Sequence, residues 1–185
     1  MVDALLSAAA EILETDGPDA LSVRRIAASA HVAPMGVYNH FDSKNGIVDA
    51  LFMQGFERLG EALTTIADIQ DPYEALLEGG RRYRALALAH PPVYQLMFMH
   101  TVQGYEPSDA AHKVATAAFE SLVAAVTRAM EAGVIVEADP TETAQLIWSN
   151  IHGWVSLELI GIGFVEDQEA GFNKVCTTLL RGLRP

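Results

Sequence analysis

"LSVRRIAASAHVAPMGVYNHF", residues Leu21 to Phe41, decides how this chain is read. Val23, Ile26, Ala27 and Ala30 recur at the three- and four-residue offsets of one helical face, and Ser22 stands where an N-cap hydroxyl belongs. A second short helix begins near Ala33. Pro34 is tolerated in its first turn, because the amide hydrogen it lacks would have had no partner there, and the helix ends near Phe41. The "SAHVA" connection is tight enough for a helix-turn-helix, in which the second helix can lie in the major groove of a duplex. Yet His31 to Phe41 carries no lysine or arginine, and the chain has a formal net charge of -12.

Working outward, composition bounds the answer. A chain of 185 residues, half of them apolar, can bury a substantial core, so disorder is excluded. Cys176 is alone, which excludes an intramolecular disulfide, and the N-terminal residues lack the charged-then-apolar layout of a secretory signal; the expected compartment is a reducing cytoplasm. The most apolar run, "LIWSNIHGWVSLELIGIGF", carries Asn150, His152 and Glu158 inside it, and a buried helix fits it better than a membrane span. An acidic balance argues against whole-surface affinity for nucleic acid or anionic membrane, while leaving room for a local basic spot.

Helix signals fill the rest of the chain, and the predicted class is all-α. Leu5, Ala8, Ala9 and Ile12 mark a first helix that stops at Asp16 or Gly17, before Pro18. Ser43 caps a fourth, expected from about 43 to 67, with Ile47, Leu51 and Phe52 inward. "DPYE" at Asp71 and "DPTE" at Asp139 each combine an aspartate N-cap, proline at the first helical position and glutamate where the helix dipole favours it. The helix begun at Asp71 is stopped by "HPP" at His90 to Pro92, and its Gly79–Gly80 pair marks an expected bend. Further helices are expected over Ser108 to Ala132 and from about Gln168 to Arg181. No period-two segment bounded by hairpin residues is found.

Taken in order and spacing, "LLSAAAEILETDG", "LSVRRIAASAHVAPMGVYNHF" and "DSK" resemble the DNA-binding domain of the TetR/AcrR family of bacterial transcriptional regulators. The resemblance implies a helix-turn-helix domain over 1–52, joined by the fourth helix to a ligand-binding and dimerisation bundle over 53–185. It implies a DNA-binding set that includes the capping Ser22, with Arg24, Tyr38, His40 and Lys44 on the phosphate backbone and Ala33, Pro34, Met35, Gly36 and Asn39 facing the groove. Phosphate can be held by hydroxyls, amides and backbone N–H groups as well as by cations. The groove face would read thymine methyls and groove shape more than guanine edges, since it lacks the arginine or lysine of the commonest guanine contact. Asn39 is the residue equipped for an adenine edge.

Three features depart from the family pattern. Residues 1–50 hold three cations, Arg24, Arg25 and Lys44, against seven carboxylates, which predicts modest and strongly salt-dependent affinity. Met1 stands almost at the first helix, where the family often has a preceding basic arm. His31 occupies a turn position usually held by glycine; if that turn is left-handed it costs roughly 1 kcal/mol relative to glycine, although histidine is among the more tolerated residues there.

The remainder is apolar, with "PPVYQLMFMH" at Pro91 to His100, then Phe119, then "WSNIHGWVSLEL" at Trp148 to Leu159. Most such side chains are core in any bundle, and methionine fills irregular gaps there. The functional reading is a cavity between helices, apolar with a few convergent polar groups, built from Tyr94, Met97, Phe98, His100, Phe119, Trp148 and His152. Trp148, His152 and Gly153 resemble the residues that name the WHG type of TetR-family C-terminal domain. No histidine or carboxylate spacing suits a metal, and no phosphate loop or nucleophile elbow is present, so neither cofactor nor catalytic residue is expected. "RRYR" at Arg81 to Arg84 is expected to be a solvated face paired with glutamates such as Glu78.

The expected function is a ligand-responsive repressor, released from a palindromic double-stranded operator by a small apolar or aromatic molecule, and the resemblance implies that it acts as a homodimer through its last two helices. The alternative is a small-molecule carrier or enzyme on the same scaffold with weak or lost DNA binding.

Overall fold

The computed structural model describes residues 1–99 and 101–185. Among them it holds nine α-helices and no strand: α1 (Val2–Asp16), α2 (Val23–Ser29), α3 (Pro34–Phe41), α4 (Lys44–Thr64), α5 (Pro72–Ala89), α6 (Pro91–Phe98), α7 (Asp109–Glu131), α8 (Pro140–Leu159) and α9 (Gln168–Gly182). The capping signals work as chemistry predicts. Ser22 Oγ accepts from the Arg25 amide at 3.3 Å, Ser43 Oγ from Gly46 at 3.2 Å, and Asp139 Oδ1 from Glu142 at 2.8 Å. Asp71 Oδ1 accepts from Tyr73 at 2.9 Å, and a further aspartate, Asp167, caps α9 through the Ala170 amide. Beyond Thr64 the chain tightens into a 3-10 turn over Thr65–Asp68. The Arg128 guanidinium donates to the carbonyls of Ala67 and Ile69 there, satisfying acceptors that a helix end leaves open.

The chain divides into two compact units, residues 1–58 with 90–116, and residues 59–89 with 117–185. In the first, Leu5, Ala9, Leu13, Ile26, Val37, Ile47, Val48 and Leu51 close the core under the three short helices, and α6 packs on α1. In the second, α5 packs on α8 and α9, with Ala75, Tyr83, Ala144, Ile147, Val155, Phe172 and Leu180 buried.

One expectation changes. The stop at "HPP" ends α5 at Ala89, but the chain resumes a helix at once, with Pro91 in the first turn of α6. α5 continues across the Gly79–Gly80 pair, where both glycines are close-packed: a Cβ on Gly79 would lie 3.1 Å from Ile66 Cδ1, and one on Gly80 3.3 Å from both Cys176 Sγ and Ile151 Cδ1.

Candidate nucleic-acid interface and apolar site

The junction of α2 and α3 is built by three backbone features. The His31 amide donates to Ala28 O and the Val32 amide to Ala27 O, the paired bonds of a Schellman ending, and His31 takes the left-handed position at φ 55°. A second left-handed residue, Asp42 at φ 58°, ends α3. The turn into α4 then brings the Phe41 carbonyl against Gly46, where a Cβ would collide with that oxygen. Only glycine fits there.

These turns fix which side of α3 faces out. Val37 is fully buried, while Met35 is 64% and Tyr38 47% exposed, and Ala33, Pro34, Asn39 and His40 are exposed with them. Gly36 is half-buried against Val32, and Lys44 is half-buried at the start of α4. Ser22 is exposed, but its hydroxyl is engaged as the α2 cap. A His40 ring nitrogen lies 3.3 Å from the Met1 sulfur. Of the three cations in the first fifty residues, Arg25 pairs with Asp16; among the described residues Arg24 and Lys44 make no ion pair. The outward side of α3 carries no lysine, arginine or carboxylate.

Both units carry apolar candidates. In the first unit Tyr94 and Met97 are buried and Phe98 half-buried. The Phe98 ring lies 4.9 Å from Tyr94 and 5.2 Å from Phe56, and the Met97 sulfur packs against Gly55. In the second unit Phe119 stacks 6.1 Å from Trp148, and Trp148 5.5 Å from His152. His100 lies outside the described residues.

The second cluster has a polar interior that the sequence reading missed. Trp148 Nε1 donates to Tyr83 Oη at 3.3 Å, and Tyr83 Oη lies 2.8 Å from His152 Nδ1. The indole can only donate, so Tyr83 Oη accepts from it, and the phenol hydroxyl is shared with His152 Nδ1, the tautomer of the imidazole setting which of the two donates. Burial pushes the His152 pKa below the usual histidine value. Tyr83 belongs to the "RRYR" run, yet it does not share the solvated face expected of that run. Its signal is the stripe Leu76, Gly79, Gly80, Tyr83 and Ala87, buried at helical spacing along α5.

That run also needs correction at Arg84. Arg81 and Arg82 pair with Glu78 as expected, but Arg84 and Glu158 are only 16% and 11% exposed and make a two-pronged pair at 2.9 and 2.6 Å. The bond to Glu158 raises the Arg84 pKa. Elsewhere in the second unit a surface groove of about 550 Å³, which none of the candidates lines, runs beside Leu63, Ile66, Ala117, Ser121, Ala124 and Arg128. Among the described residues no helix is long and apolar enough to cross a membrane.

Comparison with known proteins agrees with this architecture. Residues 5–51 match the model described as "Bacterial regulatory proteins, tetR family", and residues 76–179 match "Tetracyclin repressor-like, C-terminal domain". An uncharacterized HTH-type transcriptional regulator of Mycobacterium tuberculosis is 23% identical over 98% of this chain and 80% of its own length. A solved protein of unknown function from Rhodococcus sp. RHA1 superposes with a TM-score of 0.89 at 27% identity, covering 100% of this chain and 95% of the other. PfmR, a TetR family transcriptional regulator of Thermus thermophilus, gives a TM-score of 0.74 at 22% identity, over 98% and 99% of the two chains, and shares the fold. A helix-turn-helix unit over the first match, followed by a helical C-terminal domain over the second, makes the chain a member of the TetR family of transcriptional regulators, and not an enzyme.

Proposed function

We propose that the protein is a cytoplasmic repressor that binds a palindromic operator as a homodimer through its last two helices and leaves it when a small, mostly apolar molecule binds. The observation that carries the reading is the outward side of α3, exposed and without lysine, arginine or carboxylate, with Arg24 at the start of α2 and Lys44 at the start of α4 making no ion pair among the described residues. Arg24, Lys44, Tyr38 and His40 hold phosphates, and Ser22 orders the start of α2. Met35, Asn39 and the small Ala33, Pro34 and Gly36 face the groove. One such head binds weakly; two linked heads about one turn of DNA apart, roughly 34 to 36 Å, bind together.

We assign DNA reading to residues 1–52 and effector sensing to 53–185. The effector contacts come from the side chains already named, Tyr94, Met97, Phe98, His100, Phe119, Trp148 and His152, joined by Tyr83. An effector that prefers one conformation shifts the population by no more than its differential affinity. The test is titration of DNA from upstream of the protein's own gene by fluorescence anisotropy. Tyr38→Ala and Lys44→Ala are each expected to weaken binding about tenfold, the scale of one charge-assisted hydrogen bond, without lowering the melting temperature. Full affinity in both variants overturns the assignment.

A further inference from the structure

The surface groove of the second unit takes no part in the function proposed above, and none of the side chains assigned to the effector lines it. Buried Leu63 and Ile66, with the small Ala117, Ala124 and Ala125 of α7, give it apolar walls. Its volume of about 550 Å³ suits a small organic molecule. From Ala117 to Arg128 the α7 wall is about 16 Å long, at a rise of roughly 1.5 Å per residue.

Arg128 stands at one end of that wall. Its guanidinium donates to the carbonyls of Ile66, Ala67 and Ile69, which fix its position but bring no net charge. Among the described residues it pairs with no carboxylate, in a chain that holds 24 aspartates and glutamates against 12 lysines and arginines. Its Nε–H is buried and has no acceptor, and a donor left in that condition carries the full penalty of its lost water. The groove therefore offers an uncompensated positive charge and an unmet donor beside apolar walls. Glu120, the other charged residue of the lining, is exposed, and water and salt screen it.

We propose that this groove binds an organic monocarboxylate with an apolar body, the carboxylate at Arg128 and the body along Ala124 and Leu63. The proposal goes beyond the repressor reading and adds a second small-molecule site to the same unit. Charge decides the class. A cation is repelled by Arg128, and a neutral molecule leaves the guanidinium uncompensated. A doubly charged phosphate matches Arg128 with one charge and sets the other against a molecule of net charge -12. One carboxylate answers one guanidinium, and such charge-assisted bonds are the strong ones.

The experiment is calorimetric titration of the full chain with phenylbutyrate and, as its uncharged counterpart, phenylbutanol. Phenylbutyrate is expected to bind at least tenfold more tightly, the scale of one charge-assisted hydrogen bond. Ala124→Trp, at an exposed position, is expected to fill the groove, keep the melting temperature and weaken phenylbutyrate tenfold or more. Arg128→Gln is expected to bring phenylbutyrate down to the affinity of phenylbutanol; should losing the carbonyl contacts unfold that variant, Ala124→Trp still decides. Equal affinity for acid and alcohol, or no binding of the acid, overturns the proposal. So does binding that survives Ala124→Trp and is lost in Trp148→Ala, which places the acid at the aromatic cluster instead. Each of these outcomes leaves the repressor reading to its own test, operator binding.

Discussion

The polar groups of α3 and those of the inner side of α8 are ordered by opposite means. On α3 they face water, and their positions are set by backbone turns at each end: His31 left-handed before it, Asp42 left-handed after it, and Gly46 closing on Phe41. On α8, His152, Trp148 and Glu158 are half-buried and positioned by one another's partners, Tyr83 and Arg84. The difference teaches where each region is fragile. The first depends on turn geometry and tolerates side-chain change, while the second depends on every polar atom keeping its partner.

Five measurements break or sharpen that contrast. Gly46→Ala is expected to cost the most, about 3 kcal/mol, because a methyl group must displace the Phe41 carbonyl. Calorimetry should show the loss, and an unchanged melting temperature would mean that the α3–α4 turn is not rigid. Arg84→Met leaves Glu158 largely buried without its cation and should cost nearly as much, about 3 kcal/mol, read from urea unfolding.

Tyr83→Phe removes both the acceptor of Trp148 and the hydrogen-bond partner of His152, for about 1–2 kcal/mol. His152 also sets a pH dependence. Its folded pKa lies below that of the unfolded chain, so the unfolded state binds the proton first; stability is full above about pH 6.5 and falls as the pH drops through the folded value. Denaturant midpoints from about pH 7.5 to 5 should show the decline, and His152→Gln should flatten it. The smallest effect has the opposite sign. His31→Gly relieves a left-handed backbone and should stabilise by about 1 kcal/mol, with DNA binding kept; a loss of stability would show that the imidazole, not the turn, matters at that position.

Legibility in the sequence follows the same contrast. The two short rods over 22–41 could be read because their determinants are local: a hydroxyl at Ser22, a proline at Pro34 and an apolar stripe through Ile26 and Ala27 all act within one or two turns of chain. The caps at Asp71 and Asp139 were legible for the same reason. α6 was not, since "HPP" reads as a stop whether or not a new helix begins at once. Tyr83 and Arg84 were hidden in a charged run because their partners, His152 and Glu158, lie 69 and 74 residues away.

The sequence by itself determined the helical class, the helix-turn-helix and the residues available to face a duplex, because cap chemistry and apolar periodicity act along the chain. Tertiary structure alone decided which polar groups are paired and where a glycine faces an atom or open space. Gly46 against Phe41, Gly80 against Cys176 and Gly153 facing open space are identical letters in the sequence, and only packing distinguishes them.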